Sequence, residues 1–369
     1  MSRVLVAGTF DPEFARNQRL IGFLEANGHE VVTCHATLWR GPRYQMPGRR
    51  LLPTAFAAVF AYVRLVYTFL RTRRADVVLV LYPGWFDVIV LGPLAWLRRM
   101  PVLFDPFISL SDTVVSDREL VTTDSWLASL LVFIDRASLR IASRVIADTP
   151  TDAAFYAELA EISRRRIGVV WVGADDAHFG PRLDVVPIPG RVLFYGSFIK
   201  LHGIDVIVRA AKLLESDDVQ FRIIGTGQED ERISTLLREL APGNVERIQH
   251  VPIEFLADEI AAATICLGIF GSSEKAQRVV PNKVFECAAV GRPIITGDTR
   301  GIRSAFAVDD LALVPSGDPA ALAAEIRDLL ADPERRERLA LAAHRRYETH
   351  FASAILRAAI NAEIEATLA

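Results

Sequence analysis

Gly173-Ala-Asp-Asp-Ala-His-Phe-Gly-Pro-Arg-Leu-Asp-Val-Val-Pro-Ile-Pro-Gly190 interrupts an otherwise regular chain, and what stands on either side of it decides the fold. The stretch holds Pro181, Pro187, Pro189 and several aspartates, a composition that prolongs neither a helix nor a strand. Before it, short apolar runs alternate with longer helical patterns. The predicted strands there are Arg3–Ala7, Val31–Cys34, Asp76–Tyr82, Pro101–Asp105, Arg144–Ala147 and Val169–Val172. Helix-like stretches such as Arg16–Asn27, closed by Gly28, and Ser125–Ser143 lie between them. After the interruption the series restarts, with strands at Arg191–Tyr195, Gln220–Ile224, Arg247–Val251, Ile265–Ile269, Pro293–Thr296 and Ala312–Val314. Runs rich in Val, Ile and Leu without alternation read as buried parallel strands of βα units. The expected class is therefore α/β, with two Rossmann-like doubly wound domains facing across a cleft, where ligands of such sheets bind. The expected boundaries are 1–178 and 191–350, a linker at 179–190, and a last helix within 351–369 long enough to pack back on the first domain.

Composition narrows the function classes. The 369 residues are 51% apolar and 24% charged, which excludes a disordered, collagen-like or coiled-coil chain. A net charge of −3 argues against nucleic acid as a partner, because phosphate contacts need concentrated Lys and Arg. Cys34, Cys266 and Cys287 show neither disulfide nor metal spacing, which points to a reducing compartment. A strand opening at Arg3 leaves no room for a signal peptide, so a cytoplasmic protein is expected. His35, His178, His250, His344 and His350 form no cluster, and no metal or other cofactor is expected.

One stretch departs from the average. Between Glu30 and Asp76 there is no acidic residue and no lysine, but Arg40, Arg43, Arg49, Arg50, Arg64, Arg71, Arg73 and Arg74 are present. Within it runs the apolar segment Leu51–Leu70, with Phe56, Phe60, Tyr62, Tyr67 and Phe69. Pro53 and Arg64 count against a spanning helix, since a central Arg costs about 2.5–3.5 kcal/mol even on insertion scales. Two readings remain: a crossover helix buried on a sheet, and an interfacial helix giving 40–74 a peripheral contact with the inner membrane face.

The chemistry is expected at Val280-Pro-Asn-Lys-Val-Phe-Glu-Cys-Ala-Ala-Val-Gly-Arg-Pro-Ile-Ile-Thr296. Pro281 fits the first position of a helix that ends near Gly291. Asn282, Lys283 and Glu286 share one face of its first turns. Open N–H groups, the helix dipole and Lys283 together suit a diphosphate, and Glu286 suits the two hydroxyls of a ribose. The alternative is a capped surface helix carrying a solvated Lys–Glu pair.

At these residues the sequence resembles a family. Pro-Asn-Lys-x-x-Glu-x-x-Ala-x-Gly-x-Pro-x-Ile is similar to the nucleotide-sugar signature of the retaining glycosyltransferases of family 4. Val192-Leu-Phe-Tyr-Gly196 with His202-Gly203-Ile-Asp resembles the strand, glycine loop and helix that open the family's second domain. Phe221-Arg-Ile-Ile-Gly-Thr-Gly227 resembles its next strand and turn, and Val172-Gly-Ala-Asp175 the end of its first domain. Phe10-Asp-Pro-Glu-Phe-Ala-Arg-Asn17 and Gly28-His-Glu-Val31 resemble the start of bacterial and archaeal members. The resemblance implies a GT-B fold, a nucleotide-sugar donor on the second domain, a saccharide or lipid-linked acceptor on the first, and no obligatory metal. It implies donor contacts at Gly196, Ser197, His202, Gly203, Gly225, Gly227, Pro281 and Asn282, beside Lys283 and Glu286.

The departures are specific. Where the family has a second glutamate eight residues before Glu286, this chain has Arg278, and Glu274 is out of register. Where the family has Arg and Lys on the diphosphate, this chain has Ser197 and His202, so Lys200, Arg278 and Lys283 become the candidate cations and a protonated His202 a candidate donor. On the acceptor side Asp105 is the expected carboxylate near the attacking hydroxyl, with Ser109 and Asp112 beside it; the alternative is a turn residue before Pro106. Phe10, Asp11, Arg16 and Asn17 are expected on the same side, the last two holding a phosphate or capping the first helix. A sugar-nucleotide epimerase of the same fold and a non-catalytic nucleotide-sugar-binding subunit remain as alternatives to a transferase.

Overall fold

The computed structural model describes residues 1–38, 51–117 and 120–369, without the side chains of 51–56, 116 and 117. The chain divides into two compact units, Met1–Trp171 with Leu356–Ala369, and Val172–Ile355.

The first unit runs β1 (Arg3–Gly8), α1 (Ala15–Ala26), β2 (Glu30–His35), α2 (Leu51–Arg71), β3 (Val77–Val80), α3 (Trp85–Leu97), β4 (Val102–Phe104), α4 (Trp126–Ile141), β5 (Arg144–Ala147), α5 (Pro150–Ala160) and β6 (Ile167–Val169). The strands form one parallel sheet in the order β2-β1-β3-β4-β5-β6. Right-handed crossovers then place α2 to α5 on one face and α1 on the other. Two cores follow from this. Leu65, Phe69, Leu91, Ile134 and Tyr156 pack on the first face, and Leu20, Leu24 and Val170 on the second.

The second unit runs β7 (Arg191–Tyr195), α6 (Ile204–Leu213), β8 (Gln220–Ile224), α7 (Asp230–Leu240), β9 (Val245–Ile248), α8 (Ile253–Ala262), β10 (Ile265–Leu267), α9 (Glu274–Arg278), α10 (Asn282–Val290), β11 (Ile294–Gly297), α11 (Arg300–Ala305), β12 (Ala312–Val314), α12 (Pro319–Ala331) and α13 (Pro333–His350). Its parallel sheet has the order β12-β11-β10-β7-β8-β9. The last helix, α14 (Ser353–Leu368), sets Ile360 and Ile364 into the core beside Leu20 and Leu24 of the first unit. There Glu363 pairs with Arg144 over Gly168, a position where any Cβ would collide with the Glu363 carboxylate.

Two strands lie elsewhere than the apolar runs suggest. The ladder of β6 begins at Ile167 rather than Val169, and that of β9 at Val245 rather than Arg247. The proline-rich stretch is also no open linker. Ile188 donates from its N–H to the carbonyl of Ala262, its own carbonyl accepts from the Thr264 hydroxyl, and Arg182 pairs with Asp258, so the segment is packed on the second unit.

Of the Arg-rich stretch, Arg40, Arg43, Arg49 and Arg50 lie outside the described residues. In α2 one side is buried on the sheet, with Ala61, Leu65 and Phe69, as the crossover-helix reading expects, while Val59, Phe60, Val63 and Tyr67 are exposed. Among the described residues no helix is long and apolar enough to cross a membrane.

Candidate functional site

In the second unit the carboxyl ends of β7 and β8 and the start of α10 bring Gly196, His202, Lys283 and Glu286 together. Gly196 sits at φ +138°, and a Cβ there would lie 3.2 Å from Lys283 Cε, 3.3 Å from its Nζ and 3.4 Å from His202 Cε1. The bare glycine keeps that space open. Gly203 starts α6 at φ +62°, where a Cβ would meet the backbone of Phe270 and Gly271 at 2.6–2.7 Å, so the turn closes only with glycine.

Lys283 is the electrostatic centre. Its side chain is buried, with the residue only 5% exposed, and no hydrogen-bond acceptor meets Nζ among the described residues. Nζ lies 4.8 Å from the centre of the Phe194 ring, a cation–π contact. Burial pulls its pKa down from 10.5 to about 7, although Glu286 and Cys287 pull the other way. Such a group gains most when an anion arrives. The helix start beside it carries no side-chain cap: Pro281 is the residue before the helix rather than its first position, and Val284 N–H turns back to its carbonyl at 3.0 Å. The first-turn N–H groups and the dipole of α10 thus add to Lys283.

Glu286, half-buried, is fixed by a residue the sequence reading did not single out. Tyr195 at the end of β7 donates its hydroxyl to Glu286 Oε2 at 2.7 Å. Its place directly before the loop glycine was the one local signal, and spacing alone does not link it to Glu286. His202 corrects an expectation. Burial, then the neighbouring Lys283, hold its pKa well below 6.5, and Nδ1 lies 2.5 Å from the Ser197 carbonyl. It is a neutral imidazole donating from Nδ1–H, not an imidazolium aimed at phosphate.

The other donor-side residues divide. Asn282 and Lys200 are exposed, at the start of α10 and in the 3₁₀ turn Lys200–His202. Gly225 and Gly227 lie against the backbone of Gly196 and Phe198, so they support the glycine loop and do not face open space. Arg278 is buried at the end of α9. Glu274, at the start of α9, is exposed and pairs with Arg300 at 2.9 Å. A separate groove of about 800 Å³, lined by Gly190, Thr264, Arg292, Pro293 and His344, lies at the amino ends of β7, β10 and β11, opposite to the ends that hold Lys283.

In the first unit Asp105, Arg16, Asn17, Phe10 and Ser109 are buried and held by partners within the unit, while Asp11 and Asp112 are half-buried. Asp105 is 0% exposed, and both its oxygens are taken by Arg16, at 2.8 Å from Nε and 3.0 Å from Nη2. A carboxylate sealed in that fork is not placed beside an attacking hydroxyl. Arg16 also donates to the Val170 carbonyl at 3.1 Å, so it neither holds phosphate nor caps α1. Asn17 ties the loop to the sheet by donating to the carbonyls of Asp11 and Tyr82. Phe10 is buried against His35. Ser109 donates to Asp135 at 2.7 Å and accepts from Asp112 N–H at 3.1 Å. Asp135, buried on α4 and absent from the sequence reading, also gathers the N–H groups of Leu110 and Ser111. Among the described residues no group of three His, Cys, Asp or Glu could hold a metal ion.

Comparison with known proteins agrees with this architecture in both halves. Residues 189–332 match the family described as Glycosyl transferases group 1, and residues 15–173 the Glycosyl transferase 4-like domain. The chain belongs to glycosyltransferase family 4. The D-inositol 3-phosphate glycosyltransferase of Thermomonospora curvata is 28% identical over 56% of this chain and 53% of its own length. The chain thus spans about half the length of that curated relative. Among solved structures, sucrose-phosphate synthase of Thermosynechococcus elongatus superposes with a TM-score of 0.74, 20% identity and 97% of each chain covered. HepE of Anabaena, solved in complex with UDP, gives 0.71 at 13% identity, over 99% of this chain and 100% of that one. These likenesses establish the GT-B fold of this family 4 chain.

Proposed function

We propose that this family 4 chain transfers a sugar from a nucleoside diphosphate donor to a hydroxyl of a saccharide or lipid-linked acceptor, with retention, in cell-surface polysaccharide or glycolipid synthesis at the inner face of the membrane. The observation that carries the reading is Lys283: a buried amine with no acceptor on Nζ, beside a bare glycine loop and an uncapped helix start. As the glycosidic bond breaks, charge gathers on the departing diphosphate while the sugar becomes oxocarbenium-like. Fixed N–H groups and the Lys283 ammonium meet that charge, so the chain's own groups do the work a metal ion does elsewhere. Glu286, held by Tyr195, accepts the two ribose hydroxyls and sets the nucleotide's register.

The test is Lys283→Ala, measured as donor turnover in a protein shown folded by circular dichroism. Losing one such donor lowers turnover about 100- to 1,000-fold. Turnover near that of the parent chain would refute the site.

A further inference from the structure

We propose that the outer faces of α2, α3 and α4 form one surface that docks on an anionic phospholipid bilayer, with the helices lying in the headgroup layer. The three helices stand side by side. Their inner sides share one core through Leu65, Leu91 and Ile134, and Arg98 after α3 donates to the carbonyls of Phe69 and Thr72 at the end of α2. Outward, α2 shows Phe60, Val63 and Tyr67, α3 shows Trp96 and Leu97, and α4 shows Trp126 and Phe133. Trp96 is 77% exposed and Trp126 78%, far from what a buried indole needs. So many large apolar side chains exposed on three neighbouring helices mark an interaction face.

Charge selects the partner. The only acidic residues in the three helices, Asp87 and Asp135, are buried. Every exposed charge along them is an arginine: Arg64 and Arg71 on α2, Arg136 and Arg140 on α4. Arg136 and Arg140 are engaged at the end of α5, donating to the carbonyls of Leu159 and Ala160, and Arg140 pairs with Glu161, so the α2 arginines carry the attraction; Arg71 lies 4.6 Å over the Tyr67 ring, a cation resting on an aromatic anchor. A second copy of the chain would set arginine against arginine. A protein partner needs sockets shaped for each aromatic, whereas a bilayer takes scattered Trp, Tyr and Phe at its interface and offers phosphate to the guanidinium groups. The chain's net charge of −3 means that attraction to anionic lipid must come from this face and not from the protein as a whole.

The full chain is mixed with vesicles of phosphatidylcholine alone and of phosphatidylcholine with phosphatidylglycerol, then floated on a gradient. It is expected to float with the anionic vesicles, to stay behind with the neutral ones, and to be released by high salt. Emission from the tryptophans is expected to shift to the blue and to be quenched by brominated acyl chains. Each arginine lost lowers partitioning about fivefold, so Arg64→Gln with Arg71→Gln lowers it about twenty-five-fold. Trp96→Ser with Trp126→Ser lowers it without touching the fold, since both side chains are exposed. Nucleotide binding at Lys283 stays unchanged in both variants, which separates this surface from the donor site. Absence of flotation with anionic vesicles overturns the proposal, as does flotation undiminished in both double variants. It is equally overturned if the tryptophan variant instead dissolves a self-associated form, or releases an acidic protein, while the parent chain leaves vesicles unbound.

Discussion

Nucleotide binding to this protein should consume a proton, and the size of the effect can be worked from Lys283. In the free protein its pKa is about 7. At pH 8 roughly one molecule in eleven then carries the ammonium, and the apparent affinity for a diphosphate is divided by that fraction. A phosphate charge about 4 Å away, at an effective dielectric near 20, contributes about 4 kcal/mol, or about three pKa units. In the complex Lys283 therefore returns to about 10, near its ordinary value. Between pH 7 and 10 each bound nucleotide takes up about one proton, and affinity falls about tenfold per pH unit. The last ionisation of the diphosphate, near pH 6, is complete over this range and adds no slope. The assay is isothermal titration of UDP and of GDP at several pH values, in buffers of different ionisation enthalpy. Lys283→Met should bind weakly with a flat profile. An affinity constant from pH 7 to 9, with no proton uptake in the parent chain, would refute the claim that the buried amine receives the diphosphate.

Three further outcomes follow from neighbouring residues. Tyr195→Phe keeps the ring but deletes the 2.7 Å bond to Glu286, so donor affinity should drop about five- to tenfold with turnover at saturation little changed, read as a KM-against-kcat split. Asp105→Ala strands the buried Arg16 guanidinium and should cost about 3–5 kcal/mol in urea unfolding, whereas Arg16→Met with Asp105→Leu should recover most of it; equal losses in both would contradict a structural ion pair. Because Lys283 is held below its unfolded pKa, the unfolded chain binds more protons between pH 7 and 10.5, so stability should rise across that window in the parent chain and be flat there in Lys283→Met.

The interior strands were legible because a strand with neighbours on both sides is apolar along its paired length. Gln220–Ile224 and Arg191–Tyr195 sit where the runs place them. The two displaced strands, β6 and β9, are sheet edges, where pairing on one side alone leaves the ladder free to slide off the apolar run. In β6 the ladder also crosses Gly168, which reads as a weak strand residue but makes room for Glu363 nearly two hundred residues later. The donor site was legible where its residues are local: Lys283 and Glu286 share a helix face by spacing alone. Tyr195 was not, because only the fold brings its hydroxyl to Glu286. Arg16 and Asp105 carried charge that the sequence reading assigned to ligands, when each was the other's partner across 89 positions.

The placement of α14 has a consequence for how the protein can be made. Leu356, Ile360 and Ile364 are essentially sealed from water inside a unit whose other members end at Trp171. During synthesis the amino-terminal half must wait, with the part of its sheet that α1 leaves open uncovered, until α14 has been made. Cutting the chain at the boundary between halves would yield a fragment missing about 1.5–3 kcal/mol of cover for each absent aliphatic side chain. Supplying residues 353–369 as a separate peptide should rescue that fragment, which makes these two segments a natural pair for split-protein reassembly.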